Sequence, residues 1–139
     1  MKTRISIIII FSLIFITVSC QAPDKSQKIK TAMNTNLLTN STVKKAIDAL
    51  QAADANTWFS QFTDDAELFD DGNKKDFRKF FGNALGHERF TSIDKVENNG
   101  LAIYGQFHSD HWGDFKTYFR FRIDAGDRIN RLEIGQADY

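Results

Sequence analysis

The chain has almost no cysteine and almost no proline. Of its 139 residues one is a cysteine, Cys20, and one is a proline, Pro23. Everything after Cys20 is free of thiols, which excludes a disulfide scaffold and a thiolate nucleophile. An excess of either charge is lacking too: 18 basic and 18 acidic residues give a net charge of zero. Loss of residues 1–19 would remove Lys2 and Arg4, leaving 16 basic residues against 18 acidic. That balance provides no electrostatic footprint for nucleic acid. The apolar run Ile5–Ile16 falls short of the roughly 20 residues that cross a bilayer as a helix. GxGxxG, GxxxxGK(S/T) and GxSxG are all absent, so dinucleotide, P-loop and serine-hydrolase readings have no support.

The first residues read as a targeting signal. Lys2 and Arg4 form a basic start, Ile5–Ile16 an apolar middle, and Thr17-Val18-Ser19 a short run before Cys20. The segment resembles a bacterial lipoprotein signal, which implies cleavage before Cys20 and acylation of its thiol. An ordinary secretory signal or an uncleaved anchor is the other reading. Several acyl chains, at about 0.8 kcal/mol per buried CH₂, would hold the protein on a membrane of the cell envelope. Residues 20–40 are polar and read as a tether. Translation from Met33 would instead give an unlipidated, cytoplasmic protein.

Residues 41–139 read as one domain of roughly 100 residues, enough to bury a core. Val43, Ala46, Ile47, Leu50 and Ala53 fall on one helical stripe, with Ser41 or Thr42 as cap and Asp54 as terminator. Trp58, Phe59 and Phe62 suggest a short second helix. Ala66–Asp70 reads as a strand and Asp71-Gly72-Asn73 as a turn. Asp76–Leu85 reads as a third helix, closed by Gly86. Four strand-like runs follow: Arg89–Glu97, Leu101–Ser109, Phe115–Asp124 and Arg128–Gln136. In the third of these, Phe115, Thr117, Phe119, Phe121 and Ile123 alternate with polar residues, so one face is dry. The expectation is an α+β fold in which three N-terminal helices cover a curved antiparallel sheet.

ALQAADANTWFSQFTDDAELFDDG and FKTYFRFRIDAGDRINRLEIGQ carry a resemblance that spans residues 42–137. Both resemble the nuclear transport factor 2-like superfamily, which includes SnoaL-like proteins and ketosteroid isomerases. The resemblance implies a cone of bent sheet with a pocket at its wide end. Members include isomerases, cyclases, dehydratases and non-catalytic binding or assembly domains. In the isomerases the general base is the Asp that ends the first strand, and FTDDAELFD places Asp70 there. The isomerases follow it with Pro, whereas this chain has Asp71. Their oxyanion donors are a Tyr and a protonated Asp; the matching residues here are Ala46 and Thr117. Without strong donors an enolate loses its main electrostatic stabilisation, so steroid isomerisation is not expected.

Asp70 is nonetheless the candidate catalytic or binding residue. A carboxyl in an aromatic pocket is desolvated, which raises its pKa and suits it to general-base work. The expected pocket is Trp58, Phe59, Leu68, Asp70, Phe115, Thr117, Phe119, Leu132 and Ile134. The plainer alternative makes Asp70 a turn residue bonded to nearby amides. His108, Asp110 and His111 read as a solvated hairpin tip, not as metal ligands, and no metal or cofactor is expected. Eleven phenylalanines after the signal can fill a core or line a cavity for an apolar ligand. Tyr118, Arg120, Arg122 and Arg131 share the other sheet face, a surface for a homodimer or for solvent. Three functions stay open: a lipid-anchored small-molecule binder, a SnoaL-like proton-transfer enzyme, or a protein-interaction module.

Overall fold

The computed structural model describes residues 33–139. The signal segment, Cys20 and the tether up to residue 32 lie outside the described residues. Three helices, α1 (Ser41–Ala52), α2 (Ala55–Ser60) and α3 (Phe77–Ala84), accompany six strands. The strands are β1 (Phe62–Asp70), β2 (Asn73–Lys75), β3 (Glu88–Glu97), β4 (Ala102–Ser109), β5 (Gly113–Ile123) and β6 (Ile129–Gln136). They form one curved, unclosed sheet in the order β2-β1-β6-β5-β4-β3. Among the described residues no helix is long and apolar enough to cross a membrane.

The expected meander of four strands is present, and each of its pairs is antiparallel. One pair departs from the all-antiparallel expectation: β1 lies parallel to β6, with Asp70 opposite Ile134. The cause is strand direction. Glu88 pairs with Ser109, Ser109 with Gly113, and Thr117 with Gln136. Thus β3 and β5 begin, and β4 and β6 end, at one end of the sheet. β1 also ends there with Asp70, so β1 and β6 run the same way. This topology gathers the strand ends that build the site.

Local chemistry sets the element boundaries. Asn40, not Ser41 or Thr42, caps α1: its side-chain oxygen accepts from the amides of Thr42 and Val43, both at 3.1 Å. The Thr42 hydroxyl donates to the Asp127 carbonyl instead. Asn40→Ala is expected to lose about 1 kcal/mol, read as a lower urea midpoint. α1 ends in left-handed Ala53, and Asp54 caps α2 by accepting from the Thr57 amide, so it begins a helix where it was expected to end one. Asp71 (φ 46°) and Gly72 (φ 81°) are the two centre residues of a tight hairpin, since Asp70 pairs with Asn73. Positive φ at both positions is what a two-residue Asp-Gly turn supplies. The short strand β2 after it was not foreseen.

The core lies between the helices and the dry sheet face. Val43, Ala46, Ile47, Leu50, Trp58 and Phe81 meet Phe62, Leu68, Ile103, Ile129 and Leu132, and all are buried. Leu38 joins them, so the packed domain begins before Ser41 and takes in the end of the expected tether. On the other face Arg120 stacks over the Tyr118 ring at 4.4 Å. Arg131 stacks over Phe69 and pairs with Glu133 at 2.8 Å, while Arg122 donates to Asn130. These cations already have partners within the chain.

Candidate functional site

A cavity of about 570 Å³ opens at the end where Asp70 terminates β1. Its apolar wall is Phe80 and Phe81 from α3, Phe107 from β4, Phe115 and Phe119 from β5, and Ile134 from β6. Asp70, Asp71, Glu88 and Asp114 supply carboxylates; Thr117, Gly135, Gln136 and Trp112 complete the lining. Trp112, on the β4–β5 hairpin, is 74% exposed. A smaller cavity next to it shares Phe80, Glu88 and Trp112.

Of the nine residues expected to line the pocket, Asp70, Phe115, Thr117, Phe119 and Ile134 do so. Trp58, Phe59, Leu68 and Leu132 do not. Trp58, Leu68 and Leu132 are wholly buried in the core, and Phe59 packs on its edge against Phe77. The correction has a physical reason. α2 packs Trp58 between Phe62 and Phe81, with ring centroids 4.9 and 4.5 Å away, and those rings fill the space it would have opened. Glu88 was missed. Its signal was its place at the first position of a strand that begins where β1 ends.

The Asp70 carboxyl is partly buried, and burial is the chief cause that raises its pKa above 3.8. The neighbouring Asp71 carboxylate adds to the rise and Lys75 opposes it; among the described residues no hydrogen bond contributes. Asp71 sits at the centre of the turn with φ 46°, and its side chain ties the turn to β6 by accepting from the Gln136 amide at 3.1 Å. Glu88 is also raised, first by burial. The Ser109 hydroxyl, donating at 3.0 Å, and His87 act against the rise, while the Asp70 and Asp110 carboxylates add to it. Glu88 thus feels the Asp70 charge, and both residues line one cavity. Buried Ser109 also accepts from the amides of His111 and Trp112, both at 3.3 Å, and so shapes the hairpin tip.

Thr117 is not free to act as a donor to a ligand: its hydroxyl donates to the Gly135 carbonyl at 2.8 Å. Ala46 is wholly buried on the core-facing side of α1 and carries no donor. His108 bridges Asp114 at 2.6 Å and Asp110 at 3.3 Å, and Asp110 pairs with His87 at 3.0 Å. These groups bind one another beside the mouth, and His111 meets Trp112 edge to face, with ring centroids 4.4 Å apart.

The Asp70 shift carries a stability prediction. A raised carboxyl pKa means that the folded state prefers the proton. Its contribution is complete in acid below 3.8 and is lost as the pH rises through the raised value. Asp70→Asn cannot ionise, so the empty variant should be at least as stable as the parent at neutral pH and lose that advantage in acid. A carboxylate held by backbone amides would give the opposite sign. Urea midpoints across the acid range read the difference.

No protein-family model and no curated protein matches the sequence. Solved structures do. A nuclear transport factor 2-like protein of unknown function from Cytophaga hutchinsonii aligns with TM-score 0.60 and 11% identity, over 76% of this chain and 95% of that one. A cystatin-like-fold protein of unknown function from Xanthomonas campestris aligns with TM-score 0.61 and 19% identity, over 72% and 91%. A candidate polyketide cyclase from Sinorhizobium meliloti aligns with TM-score 0.53 and 20% identity, over 67% and 92%. The domain therefore has the nuclear transport factor 2-like, or cystatin-like, α+β fold. At these identities the likeness defines the fold alone.

Proposed function

We propose that the chain is an envelope lipoprotein, anchored through acylated Cys20, whose domain holds a small, partly apolar ligand in the cavity beside Asp70. One observation carries the ligand reading: a partly buried carboxyl without a hydrogen bond among the described residues, in a cavity of about 570 Å³. That volume falls in the range of roughly 300–1,000 Å³ typical of small-molecule sites, and an aromatic wall with a few polar groups is their usual lining. An interaction module with a filled interior would lack such a space. The anchor reading rests on the sequence around Cys20.

A second reading makes the domain a SnoaL-like proton-transfer enzyme. Its support is the Asp70–Glu88 pair, two carboxyls whose pKa values burial raises in one cavity, a direction that suits general acid–base work. Glu88, when protonated, would be the donor that Thr117 and Ala46 fail to provide.

Native mass spectrometry of protein purified from its own envelope tests both parts. The expected spectrum has an acylated Cys20 terminus and a small molecule that leaves on unfolding. An unmodified terminus overturns the anchor. An empty protein that no compound in a chemically diverse library stabilises against heat overturns the ligand site.

A further inference from the structure

The walls of the cavity specify the charge of what it holds. Four carboxylates border it, and no lysine, arginine or histidine is among its lining residues. The rest of its surface is mainly aromatic. We propose, building on the reading of this cavity as a ligand site, that its ligand is an organic cation: an amine or ammonium group on an apolar or aromatic frame.

The cavity and its rings are the starting point, and the carboxylates decide the sign. Three of the four already have a partner within the chain. Asp71 accepts from the Gln136 amide, and Asp114 is paired with His108. Glu88 accepts from the Ser109 hydroxyl and is raised further by the Asp70 charge, while the Asp70 carboxyl has no hydrogen bond among the described residues; both are partly buried. A cation seated between them would offset that repulsion and compensate their burial. Aromatic faces carry negative charge density, so Phe80, Phe107, Trp112 and Phe115 would favour the same cation. An anion would meet like charge from the four carboxylates. A neutral ligand would leave the burial of the two carboxylates without a compensating charge.

The charged groups around the pair set a pH dependence. Asp70 faces Asp71 and Lys75; Glu88 faces Asp70, Asp110 and His87, with the Ser109 hydroxyl as its donor. A cation favours the ionised pair, so its binding should weaken as the pH falls and protons take its place.

Three probes on one frame test the inference: naphthylmethylamine, naphthylmethanol and naphthoate, titrated calorimetrically into the parent and into an Asp70→Asn, Glu88→Gln double variant. The amine should bind on the order of tenfold tighter than the alcohol, and naphthoate weakest. The double variant, its fold checked by circular dichroism, should lose the amine's advantage and keep its affinity for the alcohol. Equal or tighter binding of the alcohol or naphthoate overturns the cation while leaving a ligand site. So does a double variant that keeps the advantage. If no probe binds and native mass spectrometry finds the cavity empty, both readings fall.

Discussion

Trp58→Ala is expected to lose about 3–5 kcal/mol of stability, the usual cost of deleting a large buried aromatic. The ring is wholly buried and packs against Phe62 and Phe81. In a domain of roughly 100 residues each kcal/mol moves the melting midpoint by about 4–8 °C. The loss therefore takes a large part of a total stability of about 5–15 kcal/mol. Trp58→Phe should be far milder. The indole N–H has no hydrogen-bond partner among the described residues, so its removal loses none, and a phenyl ring keeps most of the packing. Thermal unfolding of the two variants checks this order. A Trp58 that lined the cavity would show the reverse: a small stability change and a large change in ligand affinity.

Gly105→Ala is the second large effect. A Cβ at Gly105 would overlap the backbone carbonyl oxygen of Ser92 and stand 3.1 Å from the Phe90 ring. A carbonyl in a strand cannot swing aside as a side chain can, so β3 and β4 must separate. The expected loss is about 3 kcal/mol, the upper end of the range for overpacked interiors. The register between these strands shifts on either side of this pairing, between Phe90 and Ser92 and between Ile93 and Lys95. Such bulges bend a sheet. Phe107, in the cavity wall, rests on Phe90, so ligand affinity should fall together with stability. Gly82 is the control. It lies on α3 with open space around it, and Gly82→Ala should stabilise by up to about 1 kcal/mol. Equal effects at the two glycines would count against the tight β3–β4 approach.

Periodicity made most of the fold legible. The stripe of α1 and the alternation of β5 needed no tertiary information, because each face is either dry or wet along its length. The β1–β6 pairing was not legible, since a strand's own pattern does not name its neighbour. β2 escaped because Asn73–Lys75 is short and wholly polar. The cap of α1 was placed one or two residues late, because Asn40, Ser41 and Thr42 are all cap-forming residues. In the site, Asp70 stood out as an acid ending an apolar strand. Its walls did not: Trp58, Leu68 and Leu132 look the same in sequence whether they face a cavity or a core. The placement of α2 and α3 decided that, and it sent Trp58 inward and Phe80 to the cavity.

In the proposed function the Asp70 carboxyl faces a ligand cavity while Asp71 sits in the turn. The most direct measurement is a carbon NMR titration of the Asp70 side-chain carboxyl in the ligand-free protein. The expected midpoint lies above 3.8 and moves down in Asp71→Asn, because the neighbouring charge contributes to the rise. A midpoint at or below 3.8, unmoved by that substitution, would make Asp70 an ordinary turn carboxylate and rule out its role in the cavity.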